Sequence, residues 1–169
     1  YASAGVGTTL HFCGEMFKKA ARLDLAYVPY KGEAPFINDL IAGHVAVGFA
    51  TIASMRPHIQ SGRIVPLAVP GAARSTLLPQ VPTMSELGYK GFESVGWFGL
   101  LGPAGTPRAG VEELNLVANQ MLADKDVLKK LEDLGLPPVG GSPQEFAEVV
   151  RSDLLLWTSI VNQAGIKMP

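Results

Sequence analysis

The sequence has a single cysteine, Cys13, only three histidines, and no excess of charge of either sign. One cysteine excludes an internal disulfide and a thiolate metal cluster. On a helical face beside Leu10, Phe12 and Phe17, Cys13 reads as a small core residue. His11, His44 and His58 stand far apart with no Asp or Glu at ligand spacing, so each reads as a surface or packing residue. Lys and Arg number 14 against 15 Asp and Glu, and the basic residues are scattered. Neither a nucleic-acid stripe nor a polybasic membrane patch is present. The apolar run Leu154-Leu155-Leu156-Trp157 is far shorter than the about 18–20 residues that a spanning helix needs. There is no initiator Met and no signal-like segment, so a chain starting at Tyr1 reads as processed or partial.

Hydrophobic residues make up 47% of the chain, ample for a packed core. Apolar spacing predicts a helix over residues 8–22, a strand over 23–30 and a helix over 34–41 stopped by Gly43. A short strand over 45–49 follows, then a helix over 52–60 broken by Pro57, then a strand over 63–69. This alternation is α/β, with connections suited to a parallel sheet. Residues 70–82 read as a surface loop. Thr83-Met84-Ser85-Glu86 is a capping box that predicts a short helix ending at Gly88. Residues 93–102 read as an apolar strand carrying Trp97 and Phe98 in the core, with Trp97 kept as a weak ligand candidate. Thr106-Pro107 should cap a helix bearing Val111, Leu114, Val117, Ala118 and Met121 on one face, with proline at its first position. A shorter helix over 126–134 and a last helix opened by Ser142-Pro143-Gln144-Glu145 complete the chain, the last with Phe146, Val149, Val150, Leu154, Trp157 and Val161 inward. Residues 1–92 thus form an α/β unit, whereas 93–169 are helix-rich. Three amphipathic helices with little sheet to cover cannot bury their apolar faces alone.

What is there in abundance is glycine at strand-to-helix turns. Ser3-Ala4-Gly5-Val6-Gly7-Thr8-Thr9 places small residues, hydroxyls and backbone amides directly before a helix, where an anion is favoured. It lacks the Lys of a nucleotide P-loop and the third Gly of a dinucleotide fingerprint. A plain glycine turn with Thr8 as N-cap explains the same residues, so the two readings stand side by side. Val28-Pro29-Tyr30-Lys31-Gly32 and Gly48-Phe49-Ala50-Thr51 occupy the next two strand ends, the edge where open α/β sheets bind ligands. Tyr30 offers a ring and a hydroxyl, Lys31 a point charge; the plainer alternative is a turn with a solvated lysine. No G-x-S-x-G elbow exists, and a hydrolase built from Ser3 or Ser54 with His11 has little support.

Taken together, these residues resemble the tripartite tricarboxylate transporter receptors, the Bug-type periplasmic solute-binding proteins. The resemblance rests on the Tyr1–Thr8 run, His11 with Gly14-Glu15-Met16-Phe17, and Val28-Pro29-Tyr30-Lys31-Gly32. It continues through Pro57-His58-Ile59, Leu78-Pro79-Gln80-Val81-Pro82-Thr83, Trp97-Phe98-Gly99-Leu100, Pro103-Ala104-Gly105-Thr106-Pro107 and Gly140-Gly141-Ser142-Pro143-Gln144-Glu145-Phe146. The resemblance implies a periplasmic-binding-protein-like (type II) clamshell. Residues 1–92 would be the second lobe and 93–169 the segment returning to a first lobe whose N-terminal part is missing. It further implies that Ser3, Gly5, Val6, Gly7, Thr8, Tyr30, Lys31, Phe49, Ala50 and Thr51 line a carboxylate site. It implies no catalysis, no cofactor and no metal. Expected partners are a small di- or tricarboxylate or aromatic acid and the membrane permease subunits of a transporter, in the periplasm, with no nucleic acid and no span of its own. Where many relatives carry Asp, this chain has Ala46 and Ala50; the lack of an acceptor at Ala50 favours a plain or aromatic carboxylate over an amino acid. A sensing role in a two-component system, and a partial chain that binds nothing, are the alternatives.

Overall fold

Three short parallel segments organise the first part of the chain. The computed structural model describes residues 1–92 and 96–164. β1 (Ala2–Ser3) lies in the middle and pairs in parallel with β2 (Val28–Pro29), Ala2 opposite Val28 and Ser3 opposite Pro29. On its other side Ala2 pairs with Gly48, through Ala2 N–H to Val47 O (2.9 Å) and Phe49 N–H to Ala2 O (3.0 Å). Parallel neighbours need a crossover, which helices supply here. α1 (Thr9–Ala20) follows β1, α2 (Glu33–Ala42) follows β2, and α3 (Ile52–Gln60) follows the third segment. Three helix N-termini therefore share one sheet edge.

The core beneath this edge is Ala2, Phe36, Ile37 and Met55, with Tyr30, Leu40, Ala50 and Ile59 packed against it. Phe36 is fully buried, a contribution on the order of 1.5–3 kcal/mol. Gly14 in α1 faces the Tyr1 ring; a Cβ there would lie 2.1 Å from it, so only glycine lets the helix close on that ring. α2 stops at Gly43 as expected, its φ of 80° putting it in the left-handed region.

Several expected strands do not form. The strand over 23–30 contracts to Val28–Pro29, and 45–49 pairs only around Gly48. Over 63–69 only Val69 pairs, in parallel with Thr83, while Val65 and Leu67 are 74% and 68% exposed. Pro66 between them has no N–H to give a ladder. The loop over 70–82 is not all surface: Leu78 and Val81 are buried against Val69. The expected break at Pro57 is absent too. α3 runs through it, since a proline three residues before the helix end removes only one backbone bond. The Thr83 capping box forms, with Thr83 N–H to Glu86 Oε2 (2.7 Å) and Glu86 N–H to Thr83 Oγ1 (3.1 Å). It closes a turn instead of a helix, because Gly88 at φ 89° reverses the chain.

The described chain divides into two compact units, Tyr1–Gly96 with the chain from Ser159, and Trp97–Thr158. In the second unit, α4 (Arg108–Leu122) and α5 (Lys125–Asp133) precede α6 (Pro143–Ala164). Pro107 is the N-cap of α4 and not its first residue, and the Thr106 hydroxyl donates to Pro103 O (2.8 Å) without capping the helix. Asp124 caps α5, which begins and ends one residue earlier than expected. The expected strand over 93–102 lies partly outside the described residues, and 96–102 form no strand. Phe98 is 87% exposed and not core, because that segment has no strand beside it among the described residues. Trp97 anchors it instead, with Nε1–H to Asp153 Oδ2 (2.7 Å) and an edge contact to Phe146. No residue of α4 or α5 is buried, and Leu114, Val117, Met121, Val149 and Leu154, expected inward, are exposed.

Candidate functional site

The turn from β1 into α1 has a defined geometry set by its two glycines. Gly5 and Gly7 sit at φ 143° and 79°, conformations that side chains resist. Thr8 caps α1: its Oγ1 accepts from His11 N–H (3.2 Å) and donates to Gly5 O (2.8 Å). Gly7 N–H donates to His11 Nδ1 (3.2 Å). The amides of Val6, Thr9 and Leu10 have no acceptor among the described residues. These are N–H groups at a positive helix end, with an exposed Val6 beside them. The Thr8 hydroxyl and the Gly7 amide are spent on holding the loop's shape. The plain N-cap reading accounts for Gly7, Thr8 and His11, and leaves the amides of Val6, Thr9 and Leu10 without an acceptor among the described residues.

Ser3 is fully buried, and its Oγ hydrogen-bonds the Tyr27 hydroxyl (3.0 Å). It fixes the strand beneath the loop and presents nothing outward. Tyr27 stacks on His11 (centroids 4.1 Å) and on Tyr1 (4.9 Å), and Phe49 meets Tyr1 edge-on (5.6 Å). This aromatic floor supports the loop. Burial holds the His11 imidazole below its ordinary pKa, which suits a neutral ring whose Nδ1 accepts from Gly7. Burial likewise pushes the Cys13 thiol up to about 11.

At the second turn Tyr30 is half-buried. Its hydroxyl donates to Asp39 Oδ2 (2.6 Å), and Asp39 Oδ1 meets His44 Nδ1 (3.2 Å). That hydrogen bond raises the Tyr30 pKa and holds Asp39 below the usual carboxylate range. Tyr30 therefore offers its ring, with the hydroxyl engaged by α2. Lys31 is exposed and forms no ion pair among the described residues. The turns touch: Tyr30 N–H bonds Ser3 O (3.2 Å), and Gly32 N–H bonds Ala4 O (3.1 Å).

At the third turn Ala50 packs on the core, and Thr51 caps α3. Glu33 Oε2 accepts from Thr51 N–H (3.1 Å), from Thr51 Oγ1–H (2.9 Å) and from the Ser54 hydroxyl. Sequence reasoning missed Tyr27 and Glu33, weighed Ser54 only as a hydrolase nucleophile, and took His11 as a surface or packing residue or that nucleophile's base. The spacing of Gly7 and His11 hinted at the bond between them; nothing local signals that Glu33 reaches the next helix. Ser3 bonds Tyr27 and Ser54 bonds Glu33, so neither pairs with His11 as a hydrolase would need. Among the described residues no cluster of three His, Cys, Asp or Glu is placed to hold a metal, and no helix is long and apolar enough to cross a membrane.

Residues 1–166 match the family described as the tripartite tricarboxylate transporter family receptor. The chain belongs to this family. It is 37% identical over 162 residues to the UPF0065 protein in the tcbD-tcbE intergenic region of Pseudomonas sp. strain P51, covering 95% of this chain and 48% of that protein. Among solved structures it is similar to the R. palustris protein Rpa4515 with adipate, with 35% identity and a TM-score of 0.87, covering 98% of this chain and 56% of that one. MatC (Rpa3494) from Rhodopseudomonas palustris, with bound malate, matches at 27% identity and a TM-score of 0.77, over 95% of this chain and 56% of that one. The chain spans about half the length of these proteins. Its fold is thus that of the periplasmic binding proteins, with α/β organisation of the first unit, and its family and structural neighbours are solute-binding proteins.

Proposed function

We propose that this chain supplies part of the ligand site of a periplasmic receptor that captures a small organic carboxylate and passes it to the permease subunits of a tripartite tricarboxylate-type transporter. The observation that carries this reading is the set of unengaged amides of Val6, Thr9 and Leu10 at the N-terminus of α1. Such amides bind a carboxylate by charge-assisted hydrogen bonds, each worth about 1.5–3 kcal/mol. The Tyr30 and Phe49 rings flank the acid's apolar part, and Lys31 adds a local positive charge. Gly5, Gly7 and Thr8 shape the loop, and Ser3 braces it. Ala50 offers no acceptor for an ammonium group, so a plain or aromatic acid fits better than an amino acid. The similar structures with adipate and malate support the ligand class. Nothing in the described site calls for catalysis; capture and release suffice.

The test is a thermal-shift series with adipate, malate and benzoate, each beside its uncharged amide. An acid at about 100 times its Kd stabilises the fold by about 2.7 kcal/mol, and the amides leave the melting temperature unchanged. Equal shifts with acids and amides, or none with either, overturn the reading.

A further inference from the structure

Residues 5–8 form a hydrogen-bonded turn, Thr8 N–H to Gly5 O (3.4 Å), whose central peptide joins Val6 to Gly7. Gly7, at φ 79°, has the conformation that a type II turn demands at its third residue. Flipping the central peptide gives a type I turn with the Gly5–Thr8 bond kept, and glycine adopts both forms at little cost. One contact selects between them. Gly7 N–H donates to His11 Nδ1 (3.2 Å), and among the described residues this is the only hydrogen bond that Val6 or Gly7 makes.

That contact needs a neutral ring. His11 is buried, and burial, helped by Lys18 and opposed by Glu15, holds its pKa below the ordinary value. Among the described residues no carboxylate pairs with the ring. On its own helix, Glu15 is engaged by the Tyr1 hydroxyl (2.6 Å) and by Lys18 (3.6 Å). From the chain before β2, Tyr27 stacks on the imidazole (4.1 Å), with its hydroxyl hydrogen-bonded to Ser3 of β1. The positive end of α1, where His11 lies, adds no stabilisation for a cation. A protonated Nδ1 would face the Gly7 N–H donor to donor, whereas the Val6 carbonyl of the same peptide is an acceptor.

We propose that His11 is a proton-operated switch for this turn: the neutral ring holds the type II form, and protonation flips the Val6–Gly7 peptide so that Val6 O accepts from Nδ1–H. The flip turns a carbonyl toward the ring and an N–H away from it, reversing the dipole on the outer side of the turn. It does not rest on the receptor reading, since no ligand takes part.

The test is nuclear magnetic resonance of the ligand-free chain between about pH 7.5 and about pH 5, with the His11 ring signals reporting its titration. A type II turn brings the Val6 Hα close to the Gly7 N–H, and a type I turn brings the Val6 and Gly7 N–H groups together. In wild type the first contact gives way to the second at the same midpoint as the ring. The ratio of flipped to unflipped turn rises about tenfold for each unit that separates the ring's pKa in the two forms. In His11→Asn, which has no proton to gain, neither contact changes with pH. The amide of Ile37, buried in the core within α2, keeps its protection from exchange throughout. A turn that stays type II after the ring has titrated overturns the proposal, as does a ring that stays neutral over the whole range. So does a change that persists in His11→Asn, or one that comes only with loss of Ile37 protection, where acid acts on the fold instead of the turn. Each of these results leaves the receptor reading standing.

Discussion

His11 is 4% exposed, stacked on Tyr27, and accepts Gly7 N–H on Nδ1. Burial is the main cause of its lowered pKa; Glu15 opposes the shift and Lys18 adds to it. In the unfolded chain the ring titrates near the ordinary value of about 6.5. The folded state binds fewer protons than the unfolded state below that value, so stability falls as the pH drops from about 6.5 through the lowered folded value. Protonation also turns Nδ1 from acceptor to donor and breaks the bond that shapes the loop. Denaturation of the wild type at about pH 7.5 and about pH 5 therefore gives a lower unfolding free energy at the acid end. His11→Asn keeps an acceptor oxygen near Gly7 but has no proton to gain, so its loss over the same range is smaller. Equal losses in the two proteins rule out His11 as the source.

Elements bounded by capping chemistry were legible from the sequence, and elements that depend on distant partners were not. Thr8, Gly43 and the Ser142–Glu145 box mark true helix limits because each acts within four residues of itself. The strand expected over 23–30 contracts to Val28–Pro29, the part beside β1, and 96–102 form none, for the opposite reason: an apolar run becomes a strand only beside another strand. The site divides in the same way. The three glycine turns could be placed from their order, whereas the engagement of Thr51 by Glu33 and of Ser3 by Tyr27 joins residues 18 and 24 positions apart. Ser142 makes a local test of the legible half. It donates to Glu145 Oε2 (2.8 Å) and accepts from Glu145 N–H (3.2 Å), while Asn115 and Asn119 strap the adjoining Gly141 to α4. Ser142→Ala removes the cap and lowers unfolding free energy by about 1 kcal/mol, and Ser142→Thr retains most of it. Chemical denaturation followed by circular dichroism measures both; equal stability of the alanine variant and the wild type would show that the cap contributes nothing.

The molecule as a whole carries more apolar surface than its first unit needs. That unit buries Phe36, Ile37 and Met55, yet Leu114, Leu116 and Met121 on α4 and Leu154 and Leu155 on α6 face outward. Helices with an apolar stripe are stable when the stripe is covered, and a large exposed patch drives association. In isolation the 169-residue chain is therefore expected to self-associate as its concentration rises and to bind a hydrophobic dye. Leu116 and Leu155 are 59% and 70% exposed, so replacing both with Glu removes sticky surface with little loss of packing. The double variant shifts toward the monomer in sedimentation and binds less dye, while its far-ultraviolet dichroism matches the wild type. A wild-type chain that stays monomeric and dye-free at its highest soluble concentration would mean that these faces are satisfied without a partner.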